Sequence, residues 1–161
     1  MKSIDLAGKA VAIVDDEDYD YLVEHYCWWH HKDKSHPLGY AQGQERGTGK
    51  HVYMHRVIAR RMGWEIGGML VDHRDFDTLR NVRSNFRLAT HSQSQHHKRI
   101  PRNNTSGHKG VSWCSHTKKW TVQVHRFGKA FARFQVSDFQ LACDASDMLR
   151  IVAHGAFASQ N

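Results

Sequence analysis

The segment Ile100-Pro-Arg-Asn-Asn-Thr-Ser-Gly107 carries a proline, a glycine and small polar side chains, with no apolar periodicity. It interrupts a chain of 161 residues, a length that suits one domain of ordinary size or two very small ones. The sequence therefore predicts two modules, residues 1–99 and 107–161, joined by a linker over 100–106.

Charge is distributed as unevenly as structure. The net charge is +7, with 14 histidines, yet residues 1–77 are mildly acidic, with thirteen acids against ten bases. From Thr78 to Ser137 there is no Asp or Glu, while Lys and Arg occur twelve times. Such a stretch would repel itself unless a polyanion lies along it, the footprint expected of a nucleic-acid binder. The aromatics Trp113, Trp120, Phe127, Phe131 and Phe134 are interleaved with these charges, which argues against a merely solvated basic surface. Cys27, Cys114 and Cys143 stand far apart and form no C-x-x-C pair, so neither a disulfide framework nor a structural zinc site is expected. No apolar run reaches spanning length and the N-terminus lacks a signal-peptide pattern. The expectation is a soluble, reduced, cytoplasmic protein without a membrane partner.

Along the first module, Val11-Ala-Ile-Val14 reads as a strand, and Asp15-Asp16-Glu17-Asp18 opens a helix with acids at its positive end. Tyr19, Leu22, Val23 and Tyr26 recur at helical spacing, and the helix is expected to end near Trp28-Trp29. His36 to Lys50 reads as strand ends around a loop, and His51 to Met62 as half strand, half helix start. In the second module three alternating runs, Lys109–Cys114, Lys119–Arg126 and Lys129–Val136, are separated by turn residues. Ser137-Asp138 then caps a helix whose buried face would be Leu141, Ala142, Ala145, Met148, Leu149 and Val152.

The chemistry is concentrated in Val71-Asp-His-Arg-Asp-Phe-Asp77, followed by Asn81, Asn85-Phe-Arg87, Ala89-Thr90 and the polar helix candidate Ser92–Arg99. A metal-capable carboxylate, Asp72, adjoins a base-capable imidazole, His73. In a regular strand adjacent residues point opposite ways, so the strand is expected to end or twist there. This order and spacing, from His55 to about Arg99, resemble the HNH nuclease family, in particular the small HNH endonucleases of phages and mobile introns (homing type). The resemblance implies a ββα-metal core that cleaves DNA phosphodiesters with one divalent ion, Mg2+ or Mn2+, per active site. His73 would be the general base, Asp72 a metal ligand and Asn85 the loop residue that aims His73. His55 matches a histidine that commonly precedes the core, serving either a structural hydrogen bond or a role near phosphate. The position of the family's metal-binding asparagine is Ser94, a departure. Serine, a shorter and poorer ligand than an amide, would reach the ion through water, or the ion would be held by Asp72 and phosphate oxygens alone. His97, one turn later on the same helix face, is the substitute ligand.

In the second module, Gly107-His-Lys-Gly-Val-Ser-Trp113, Lys119-Trp120, Gly128, Ala142, Ala145, Asp147 and His154-Gly155-Ala156-Phe157-Ala158 with Asn161 resemble the DNA-binding domain of the plant Apetala-two/ethylene-response class. Ser146 stands where that class usually has Tyr. The resemblance implies a three-stranded antiparallel sheet packed on one helix, with the sheet reading the major groove. Candidate contacts are Trp113, Trp120, Arg126 and Arg133, with Lys109, Lys118, Lys119 and Lys129 on phosphates, and Arg87 of the first module is a further candidate on DNA. Alternation places Thr121, Gln123 and His125 on one face of the second strand, and Trp120, Val122 and Val124 on the other. This favours a buried Trp120 and leaves Trp113 open. The whole reads as an α+β, phage- or mobile-element-type endonuclease acting on double-stranded DNA, possibly as a monomer. The alternative is a DNA-binding protein that keeps the fold and has lost turnover.

Overall fold

The computed structural model describes residues 1–33, 36–97, 100 and 103–158. Its elements form an α+β fold of two compact units, Met1–Thr90 and His91–Asn161. The division precedes the expected linker, and helix α3 (His91–His96) belongs to the second unit. Lys98, Arg99, Pro101, Arg102 and Ser159 to Asn161 lie outside the described residues. So does the end of the expected Ser92–Arg99 helix.

The first unit opens with the antiparallel hairpin β1 (Lys2–Asp5) and β2 (Val11–Val14), whose inward residues Ile4, Ala12 and Val14 are buried. Helix α1 (Asp16–His25) follows, with acids in its first turn as the macrodipole favours. It ends earlier than the sequence predicts. Tyr26–Asp33 form strand β3, because this aromatic run pairs along its length with β4 (His36–Glu45). Trp28 lies opposite Gly43, a position where any Cβ would collide with the indole. The indole Nε1 donates to the Leu22 carbonyl at 2.8 Å. Val23, expected on the buried stripe, is exposed. The polar, glycine-containing 36–45 segment is thus not a loop but the central strand of a sheet, β3-β4-β5, with β5 at His51–Tyr53. Helix α2 (Met54–Arg61) buries Met54, Val57 and Ile58 beside Leu22, Trp28 and Phe86 in one core.

Two further pairings complete this unit. β6 (Leu70–His73) and β8 (Phe86–Ala89) form an antiparallel ribbon, and β7 (Arg80–Asn81) adds in parallel to β2. Fully buried Asp18 ties the elements together. It accepts from Arg61 Nε at 2.8 Å and from Arg83 Nε and Nη2 at 2.7 and 2.9 Å. Burial pushes its carboxyl up, but the hydrogen bonds and charges of Arg83 and Arg61 outweigh that and hold it below its ordinary value.

The strands of the second unit follow their sequence pattern. β9 (Val111–Cys114), β10 (Lys119–Arg126) and β11 (Lys129–Val136) form an antiparallel sheet in the order β11-β10-β9. Asp138 caps helix α4 (Phe139–His154), accepting from the Leu141 amide at 2.7 Å. The helix is turned relative to expectation. Leu141, Met148 and Val152 are exposed, while Ala142, Cys143, Ser146, Arg150 and Ala153 are buried. A small residue is required at Ser146, where the backbone at Gly110, just before β9, closely approaches the helix. A Cβ on Gly110, which has φ +73°, would lie 2.5 Å from Ser146 Oγ. That hydroxyl donates to the Lys109 carbonyl at 2.7 Å. No helix among the described residues is long and apolar enough to cross a membrane.

Candidate functional site

The β6–β8 ribbon places the two central motif residues. Asp72 pairs in register with Arg87, and His73 with Phe86. Strand alternation holds to the last residue, so Asp72 and His73 face opposite sides of the ribbon. The strand ends at His73, one of the two outcomes the sequence requires. His73 is buried, with its ring edge-on to Phe86 at 5.2 Å and edge-on to His55 at 5.3 Å. His55 is buried in turn and stacks on Tyr53 at 5.6 Å, while Tyr40 lies 5.6 Å from it. The result is a connected row of rings, Tyr40 and Tyr53 to His55 to His73 to Phe86.

Electrostatics follow this enclosure. Burial pushes the His73 imidazole below its ordinary value, against the Asn81 contact and the nearby carboxylates of Asp75, Asp72 and Asp77. Burial pushes His55 much further down, helped by the charges of His73 and Arg56. Burial, with the charges of Asp33 and Asp72 and the neighbouring Tyr53, raises the Tyr40 hydroxyl. All three side chains therefore favour their neutral forms at neutral pH.

Asn85 does not touch the ring it was expected to aim. Its amide donates to Asp75 Oδ1 at 2.8 Å and to the Arg80 carbonyl at 2.9 Å, and its carbonyl oxygen accepts from the Asp75 amide at 3.2 Å. Asn85 thus braces the 74–85 loop, in which Asp75 and Asp77 also accept from backbone amides two residues on. The residue that faces the imidazole is Asn81, with Oδ1 3.4 Å from His73 Nε2. Only its place in the same polar stretch hinted at that role. Tyr40 and Tyr53 carried no sequence signal, because their contacts arise from the β4–β5 pairing.

Arg87 was expected on DNA. It is instead buried, with Nε on Asp72 Oδ2 at 2.9 Å, because β8 register sets it directly across the ribbon. Asp72 remains a hard oxygen donor of the kind magnesium takes with water and phosphate oxygens to complete its shell. The donor chemistry fits a divalent ion, with Arg87 sharing the same carboxylate. Ser94 and His97 belong to the second unit: Ser94 is half-buried on α3, and His97 is buried in the turn that follows it. Among the described residues, the group of three acidic or imidazole side chains with metal-ligand spacing is Asp15, Glu17 and Asp18. Asp18 there is already bound by two arginines.

The C-terminal sheet separates its candidates by face. Trp120, Val122 and Val124 point toward α4, and Trp120 packs on Phe139 at 4.5 Å. Trp113 lies opposite Trp120 in register and meets it edge-on at 5.0 Å, so it stands on the helix side, not on the open face. The open face carries Lys119, Thr121, Gln123 and His125 of β10 beside Arg133 and Gln135 of β11. Gln135 Nε2 donates to Thr121 Oγ1 at 2.9 Å. Lys118, Lys119, Arg126, Lys129 and Arg133 are all exposed, with Arg126 and Lys129 paired at the hairpin end. Lys109 is half-buried near α4 and does not stand on the open face of the sheet.

Comparison with known proteins gives two matches. Residues 52–96, from β5 to the end of α3, match the HNH endonuclease family. The chain is also similar to Protein 3.8 of Escherichia phage T7, 31% identical over 100 residues that span 56% of this chain and 74% of that protein. No solved structure matches.

Proposed function

Because this chain belongs to the family of phage T7 Protein 3.8 and carries an HNH endonuclease domain, we propose that it cleaves DNA phosphodiesters with the help of a divalent ion. The observation that carries the reading is the placement of Asp72 and His73 at the end of β6, inside the matched segment. His73 takes a proton from the water that attacks phosphorus, and the bond to the 3′-oxygen breaks, leaving a 3′-hydroxyl and a 5′-phosphate. Phe86, His55 and Asn81 hold the imidazole in place, and Asn85 fixes the loop that follows it. Asp72 would hold the ion, Mg2+ or Mn2+, which supplies positive charge to the phosphate and to the leaving oxygen. Ser94 enters as a further ligand through the sequence match alone, with His97 as its substitute. One such site cuts one strand, so a monomer nicks.

The 107–161 module is the DNA grip in this reading, resembling the Apetala-two class. Its support is the uncovered polar face of the sheet, where Arg133 suits guanine edges and Gln123 and Gln135 suit adenine. Lys118, Lys119, Arg126 and Lys129 would lie on phosphates. A second reading, DNA binding without turnover, is favoured by the enclosure of His73 and by the hold of Arg87 on Asp72. Supercoiled-plasmid nicking across a series of divalent ions separates the two. Nicking with magnesium or manganese supports the enzyme, and a better response to limiting magnesium in Ser94→Asn supports the ligand assignment. Retarded but uncut DNA with every ion tested leaves the binding protein.

A further inference from the structure

Helix α4 buries a positive charge that its surroundings do not neutralise. Arg150 is 7% exposed, and its Nη1 is enclosed with no hydrogen-bond acceptor among the described residues. Asp147, one turn earlier, acts on it through space, but that carboxylate is already paired with His108 Nε2 at 3.0 Å. Buried polar groups are nearly always satisfied, and an uncompensated buried cation is costly.

The neighbourhood adds to the charge. Ser146 lies four residues before Arg150 on the same helix face, and its hydroxyl fastens the Lys109 backbone to α4 at 2.7 Å. The absent side chain of Gly110 makes this approach possible: a Cβ there would lie 3.8 Å from Arg150 Cδ. Burial, with the charge of Arg150, pushes the Lys109 ammonium down to about 8. One turn beyond Arg150, His154 stacks on His96 of α3 with centroids 3.7 Å apart. Burial, with the charges of His96, Arg150 and Arg126, pushes His154 down to about 4. The enclosed guanidinium thus helps to push down Lys109 before β9, His96 of α3 and His154 of α4.

We propose that Arg150, with Lys109 and the His96–His154 stack around it, is a receptor for a phosphate oxyanion. The guanidinium offers a planar set of donors that matches phosphate oxygens, and one bound anion answers the unused donor. The site lies on the helix side of the C-terminal unit, away from the open face of the sheet. The oxyanion assignment does not rest on the nuclease reading. Only the source of the phosphate does: a DNA backbone if the chain binds DNA, free phosphate otherwise.

The test uses the full chain as wild type, Arg150→Met and Lys109→Met. Thermal unfolding is followed as inorganic phosphate replaces chloride at constant ionic strength, and duplex-DNA affinity is followed against salt. Wild type should melt higher with phosphate, saturably. Arg150→Met should fold without phosphate and bind it about tenfold more weakly or worse, the size of a lost charge-assisted hydrogen bond. If the salt slope of DNA binding also falls by about 0.9, the DNA backbone is the source. A lost phosphate response with an unchanged slope identifies free phosphate. Should Arg150→Met fail to fold, Lys109→Met reads the same two quantities, with a several-fold loss expected. A phosphate response and a salt slope equal to wild type in the variant that folds would overturn the proposal. Both would then reflect general salt exclusion and other contacts.

Discussion

Both units bury charge, and Asp18 and Arg150 are treated in opposite ways. Asp18 in the N-terminal unit is enclosed by two arginines that supply three hydrogen bonds. Arg150 in the C-terminal unit is almost as buried, yet its Nη1 meets no acceptor among the described residues. A closed pair of this kind holds elements together, here α1, α2 and the 3-10 turn Arg83–Asn85. An open buried charge does not serve stability and is better explained by something that arrives from outside. The contrast is between a buried carboxylate settled by its own unit and a buried guanidinium whose surroundings leave a donor open. That is the division expected if the first unit supports chemistry and the second grips a polyanion.

The largest effect should come from the settled pair. Asp18→Asn should cost about 3–5 kcal/mol, the usual price of leaving a buried partner uncompensated, measured by urea unfolding. The same link predicts pH dependence. The folded carboxyl sits below its unfolded value, so its contribution is complete above the ordinary Asp range and is lost as pH falls through the folded value. Unfolding midpoints measured downward from pH 6 should show wild type losing stability faster than Asp18→Asn. If the two fall in parallel, the arginines do not depress Asp18 and the contrast with Arg150 weakens.

Next in size is Gly110→Ala, which places a methyl against Ser146 at a left-handed backbone position. It should destabilise by about 1–3 kcal/mol, seen as a lower melting temperature with the Asp18 network intact. A neutral result would mean that α4 and β9 can separate freely, and that Arg150 is not held where the proposal needs it. The smallest stability effects belong to the open face. Lys119→Ala and Arg133→Ala should each stay within about 0.5 kcal/mol of wild type. Each should lower the salt slope of DNA binding by about 0.9 if its contact is to phosphate. Arg133→Ala should lower it less, and relax sequence preference instead, if it reads a base. Slopes unchanged in both would remove the sheet face from the DNA-binding account.

Legibility in the sequence followed the range of the interactions. Strands β10 and β11 and the Asp138 cap were readable because period-two alternation and capping are local. Helix α1 was read past its end because Tyr26–Asp33 owes its strand form to β4, a partner that no local pattern reveals. The buried face of α4 was misread for the same reason. Large apolar residues dominate the helical periodicity, but the close approach at Gly110 requires a small residue at Ser146. In the candidate site the motif located Asp72, His73 and Asn85, but not their partners. Register placed Arg87 on Asp72, the parallel β2–β7 pairing positioned Asn81, and the β4–β5 pairing brought Tyr40 and Tyr53 to His55.

The most direct measurement is plasmid nicking by wild type and His73→Ala, side by side with magnesium or manganese, with DNA affinity recorded for both. Wild type should convert supercoiled to nicked circles. His73→Ala should lose this by about 100-fold or more, the usual contribution of a positioned base, while binding DNA within a few-fold of wild type. Cleavage by His73→Ala at the wild-type rate, or no cleavage by wild type with any divalent ion, would contradict the nuclease reading.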